Sequence, residues 1–228
     1  MDIPNLISDD WSRYQELQNS GLKKQANNAL NQIVALLEGR EDSDIKDFLF
    51  NLCDEGLNPE RVNKIQHPLF VKCIIPLLLD GFERKSAKEL LFIVKAAKYG
   101  YWQEIYKSFG DVSTRELLKT ALESDTDNKE IITEMMNDFI SEFEFGAHHL
   151  PETIVLNLAL INQSISECSA FILKYRNQID NKTVELFKYY SQLYKDYSEW
   201  EEKVTNLDFL SWCIHHDKKY YWVNPDYI

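Results

Sequence analysis

Apolar positions recur along this chain at intervals of three and four residues, the spacing that lines one side of an α-helix. Residues 128–144 show it most cleanly. Ile131, Ile132, Met135, Met136, Phe139, Ile140 and Phe143 share one face, while Glu130, Glu134, Asp138 and Glu142 run at four-residue spacing along another. No stretch reads convincingly as a strand. The start signals agree: Ser86/Glu89, Ser113/Glu116, Asp127/Glu130 and Ser164/Glu167 each set a capping side chain three residues ahead of a Glu that can reach back. Six of the seven glycines (Gly21, Gly39, Gly56, Gly100, Gly110 and Gly146) stand where periodic runs end, as C-terminal caps do.

The expected fold is all-α, with about twelve helices stacked as antiparallel hairpins in a helical array or irregular bundle. Helices are expected near 9–19, 22–38, 44–55, 59–64, 68–83, 87–99, 101–109, 114–124, 128–144, 151–161, 165–177 and 182–204, with a last one at 207–217. No Gly/Ser-rich or Pro-rich linker divides the chain, so 1–228 reads as a single helical domain with an aromatic tail at 218–228. Residues 68–82 are apolar all round, with Pro68 at a first-turn position and Pro76 inside, where a proline kinks or breaks a helix. Together with 87–99 they form an apolar 68–99 hairpin expected at the centre of the fold.

The segment 117–128 resembles the end of one tetratricopeptide repeat and the start of the next. Leu118 and Ala121 occupy the places of a large apolar residue and a small one that lets helices approach. Ile132, Met135 and Phe139 fit the apolar positions of the following first helix. The likeness covers about one and a half repeats over residues 98–139. It departs from the pattern at Thr114, Thr126 and Met136, which stand where a small residue, Pro and a small residue are usual. The resemblance implies stacked antiparallel helices of a protein-binding kind.

Composition is that of an ordinary folded protein, with 44% hydrophobic and 27% charged residues. Charge changes the picture more. The net charge of −12 is concentrated in two stretches, −8 over residues 123–152 and −6 over 41–60, leaving +2 for the rest. Such surfaces oppose nucleic-acid binding and favour a basic protein partner. The longest apolar run, 69–79, is interrupted by Lys72 and too short to span a bilayer, and residues 1–10 lack the marks of a signal peptide, so no membrane association is expected. Cys53, Cys73, Cys168 and Cys213 lie apart without pairing and read as reduced core thiols of a cytoplasmic protein.

Motifs of catalysis are scarce. The chain has no GxSxG, P-loop, dinucleotide-binding glycine pattern, HExxH or ExxH. Asp125-x-Asp127 fails as a calcium loop, because Lys129, Glu130 and Met136 occupy places that need a ligand, Gly and a bidentate Glu. One cluster could offer ligands to a metal: on a helix, Cys213, His216 and Asp217 share a face at i, i+3 and i+4. No fourth ligand follows at a fitting spacing. The tail Tyr220-Tyr221-Trp222 either folds back to close the bundle or remains a binding segment. No catalytic residue and no cofactor is expected. The sequence therefore leads to a non-enzymatic, cytoplasmic protein-binding module that presents Glu130, Glu134, Asp138 and Glu142 to a basic partner, in the manner of an immunity protein or adaptor. The alternative is a helical ligand- or metal-binding protein or enzyme, with its site near Cys213/His216/Asp217 or the 68–99 hairpin.

Overall fold

The computed structural model describes residues 3–40, 42–57, 65–203 and 206–223, and among them no strand occurs. The elements are α1 (Ile3–Asn19), α2 (Lys23–Leu37), α3 (Ser43–Gly56), α4 (His67–Leu69), a π turn (Phe70–Ile74), α5 (Ile75–Glu83), α6 (Ala87–Ala96), a second π segment (Ala97–Tyr101), α7 (Trp102–Phe109), α8 (Thr114–Ser124), α9 (Lys129–Ala147), α10 (Leu158–Tyr175), α11 (Asn181–Glu202), α12 (Phe209–His215) and a 3-10 turn (Tyr221–Val223). The all-α class read from the periodicity holds. Among the described residues, α4, the first π turn and α5 run on as the one rod expected at 68–83, and a single α10 replaces two expected helices, so the number of separate helices falls slightly below twelve. The short helix or turn expected at 59–64 lies outside the described residues.

The chain divides into two compact units, 1–126 and 127–228. The division falls at a tight turn, which carries none of the linker composition that would mark it in the sequence.

In the first unit, α1 and α2 form a hairpin, and α2 buries Ala26, Ala29, Leu30, Ile33, Val34 and Leu37 at helical spacing. The centre is α6, in which every residue from Glu89 to Ala96 is buried. It packs against α5 and α8. The α5 backbone comes so close at Gly81 that any Cβ there would overlap the Glu89 side chain. Glu89 is satisfied by the Arg84 guanidinium at 3.5 Å and by the Ser86 hydroxyl. Ser86 thus spends its side chain on the carboxylate rather than on the helix N-terminus, where it caps by backbone geometry alone.

Pro76 does not break its helix. Its ring would press on the carbonyl of Lys72 in a regular α-helix. Instead the Ile75 N–H bonds Phe70 O, five residues back, and the π turn widens the coil just ahead of the proline. The chain breaks instead at Tyr99 and Gly100, where a φ of 114° needs glycine. Beyond it, Ser113 caps α8 by accepting the Glu116 N–H at 3.5 Å. Leu118 and Ala121 are fully buried in α8, which packs chiefly against α6.

In the second unit, α9, α10 and α11 pack on one another around Phe139, Phe143, Phe171, Phe187 and Tyr194. The cap of α9 is Asn128, not Asp127: its Oδ1 accepts from the N–H groups of Glu130 and Ile131 at 3.1 and 3.2 Å. The two helices expected at 151–161 and 165–177 are one, α10, capped by Asn157. Ser164, expected to start a helix, sits inside it, buried, and donates its hydroxyl to Glu142 at 3.0 Å. Among the described residues, no helix is long and apolar enough to cross a membrane.

Candidate functional site

The acidic face of α9 is not a straight strip. An α-helix advances about 100° per residue, so steps of four drift about 40° each and roughly 120° from the first to the fourth carboxylate. Accordingly Glu130 is exposed, Glu134 and Asp138 are half-buried, and Glu142 reaches the seam with α10, where Ser164 bonds it. The exposed track continues instead through Thr133, Ser141, Glu144 and Phe145, the last 54% exposed. The structure therefore lines up exposed Glu130 with half-buried Glu134 and Asp138, while Glu142, also half-buried, meets Ser164 at the seam with α10.

The Cys213/His216/Asp217 cluster is dispersed. α12 ends at His215, and Asp217 takes a left-handed φ of 51°, which carries it off the helix face. The His216 ring stacks on Trp212 and its Nδ1 lies 2.8 Å from the Trp212 carbonyl oxygen. Cys213 is wholly buried, and burial first, then the nearby Asp196 carboxylate, pushes its thiol up to about 12. Among the described residues no three His, Cys, Asp or Glu side chains converge as metal ligands.

Beside the apolar 68–99 hairpin, the polar groups that are buried are paired or inert. Tyr101, stacked on Phe70 at 4.0 Å between ring centres, donates its hydroxyl to Ile65 O at 2.5 Å. Burial pushes the Cys73 thiol up to about 11 and that of Cys53 higher still. Thiols so shifted carry almost no thiolate near neutral pH and are poor nucleophiles.

One polar centre in the second unit was not singled out from the sequence. Asp196 of α11 is 1% exposed, yet it accepts from Gln192 Nε2 at 2.8 Å, Lys218 Nζ at 2.9 Å and the Tyr220 hydroxyl at 2.5 Å. Three donors satisfy the carboxylate, and two of them come from the tail. Tyr220 also meets Tyr189 edge-on and stacks on Trp222, while the Lys218 ammonium lies 5.6 Å from the Trp212 ring centre. The tail folds back over residues 218–223; Asn224, Pro225 and Tyr227 lie outside the described residues. A signal was present: Asp196 falls between Leu193, Tyr194 and Tyr197, on the buried side of an amphipathic helix.

Compared with known proteins, the chain matches no family model, and no curated protein and no solved structure is significantly similar to it.

Proposed function

We propose that this chain is a non-enzymatic protein-binding module of the cytoplasm, which docks a basic protein through the acidic face of α9. The observation that carries the reading is the charge of that helix: five carboxylates against the single Lys129, in a unit with seventeen acidic and nine basic residues. Like charges at i,i+4 repel by about 0.2–0.5 kcal/mol per pair, so a face built this way gives up some stability, which a cationic partner would return. The buried thiols, with raised pKa values, are poor nucleophiles, which accords with a binding role. The tetratricopeptide-like residues around Leu118 and Ala121 accord with it. By analogy of charge and fold class, immunity proteins that neutralise cationic toxins, and adaptors, have this profile.

The test is affinity capture from the native host with the full chain and with Glu130→Lys/Glu134→Lys, followed by mass spectrometry. The reading expects a strongly basic protein captured by the parent. The folded double variant should associate more slowly and lose most of the salt dependence, since exposed charges steer encounter. Equal capture by both proteins at low salt would sink the reading.

A further inference from the structure

We infer that residues 218–223 form a charge-latched strap, which closes over the α11–α12 face of the second unit and opens when the Lys218–Asp196 pair is lost. The strap begins at an abrupt reversal. Asp217, with φ of 51°, holds a left-handed turn that glycine fills more easily, and the Lys218 N–H closes it on Cys213 O at 2.9 Å. The chain then returns to α11 and places Lys218 and Tyr220 on Asp196, 22 and 24 residues earlier in sequence.

Opposed contributions meet within these few residues. On one side, the buried carboxylate binds the strap strongly, because an ionised acceptor in a dry setting makes stronger hydrogen bonds than a neutral one. On the other side stand the strained backbone at Asp217 and the indole Nε1 of Trp222, a buried donor with no hydrogen-bond partner. A segment held by one charged centre and opposed at both ends opens as a unit once that centre fails. Removing the lysine charge alone leaves the buried carboxylate two neutral donors, Gln192 and Tyr220, but no countercharge, which favours the open state, where water reaches it. Opening takes Tyr220 off the Tyr189 ring and draws the Lys218 N–H away from Cys213 O, so the last turn of α12, which holds Cys213, loses the bond that closes it.

Cys213 supplies the readout. Thiol labelling with N-ethylmaleimide at neutral pH, mapped by peptide mass, follows all four cysteines of the full chain at once. Lys218→Met should speed labelling of Cys213 by about tenfold or more through local opening, while buried Cys168 in the same unit keeps its parent rate. Asp196→Asn/Lys218→Met, which removes both charges, should return Cys213 to slow labelling, and Asp217→Gly, which relieves the turn, should slow it below the parent. If Lys218→Met does not fold, the last two variants decide. An unchanged Cys213 rate in Lys218→Met, equal acceleration at Cys168, or a double variant as fast as the single would each overturn the latch. So would an Asp217→Gly rate at or above the parent's.

Discussion

Tyr194 of α11 donates its hydroxyl to the backbone carbonyl of Phe143 in α9 at 2.6 Å, although Phe143 lies inside a regular helix. The helices approach closely enough for this because Gly146, one turn further on, has no side chain. A Cβ there would lie 2.5 Å from the Tyr194 hydroxyl and 3.1 Å from Ile161 Cδ1. Gly146 thus serves close approach rather than capping: it is helical, and α9 ends one residue later.

Gly146→Ala should therefore destabilise the second unit. Alanine gains about 1 kcal/mol over glycine in an exposed helix, but overpacking a filled site costs about 1–3 kcal/mol and here dominates. Thermal denaturation of Gly146→Ala and of Gly146→Ala/Tyr194→Phe checks it. The second substitution removes the clashing hydroxyl and should recover part of the loss. A melting temperature at or above the parent's for the single variant would contradict the packing argument.

The cap of α9 discriminates between neighbours. Asn128→Ala should cost about 0.5–2 kcal/mol, because two N–H groups lose their acceptor. Asp127→Ala should cost little, since its contact is a 3.4 Å hydrogen bond from Gln178 at an exposed site. Urea denaturation curves of both variants give the comparison, and an equal loss for the two would refute the assignment.

These two sites show what the sequence reveals and what it hides. The helices themselves were legible, since Ile131, Ile132, Met135, Met136, Phe139 and Phe143 all prove buried at the spacing the pattern demands. Ser113 and Glu116 read correctly as a start because their partners are local. Ser164 and Glu167 have the same spelling, but the Ser164 hydroxyl answers to Glu142, 22 residues away. The burial of Asp196 could be read from its place among Leu193, Tyr194 and Tyr197, but its partners could not, because both tail donors depend on how residues 218–220 return to α11. Local chemistry is written in the spacing; tertiary partners are not.

Alkaline pH should weaken the protein through its buried thiols and phenols. Burial raises Cys73 to about 11 and Cys213, Tyr101 and Tyr189 to about 12, from ordinary values of 9.0 for Cys and 10.0 for Tyr. The folded state holds these protons where the unfolded chain releases them. Their stabilising effect is complete below about 9 and is lost as pH rises through the folded values. Urea midpoints measured at pH 7, 9 and 10.5 should fall in that order, and a flat or rising series would disagree.

At the acid end, the caps of α11 and α12 set the sign. Hydrogen bonds from the Thr183 hydroxyl and N–H hold Asp180 below its usual 3.8, and those from the Ser211 N–H and hydroxyl do the same for Asp208. Their stabilisation is present above that usual value and is lost as pH falls through the lowered folded values. Asp180→Asn should keep the cap while removing its share of the acid sensitivity, seen as a shallower decline of the melting temperature below pH 4. An acid limb identical to the parent's would remove this carboxylate from the account.

If α9 docks a basic partner as proposed, the drift of its carboxylates limits what could grip it. From Glu130 to Asp138 the accessible run is only about 12 Å long, at 1.5 Å of rise per residue. An extended strand covers that length in about four residues at 3.3 Å each, and its side chains alternate, so it offers two cations to the face. A partner helix laid alongside matches the run in about two turns, with cations three or four residues apart. On the proposed docking role, reach would therefore set the valence at two or three positive charges, and Glu142, turned toward Ser164 at the α10 seam, lies past the end of that run.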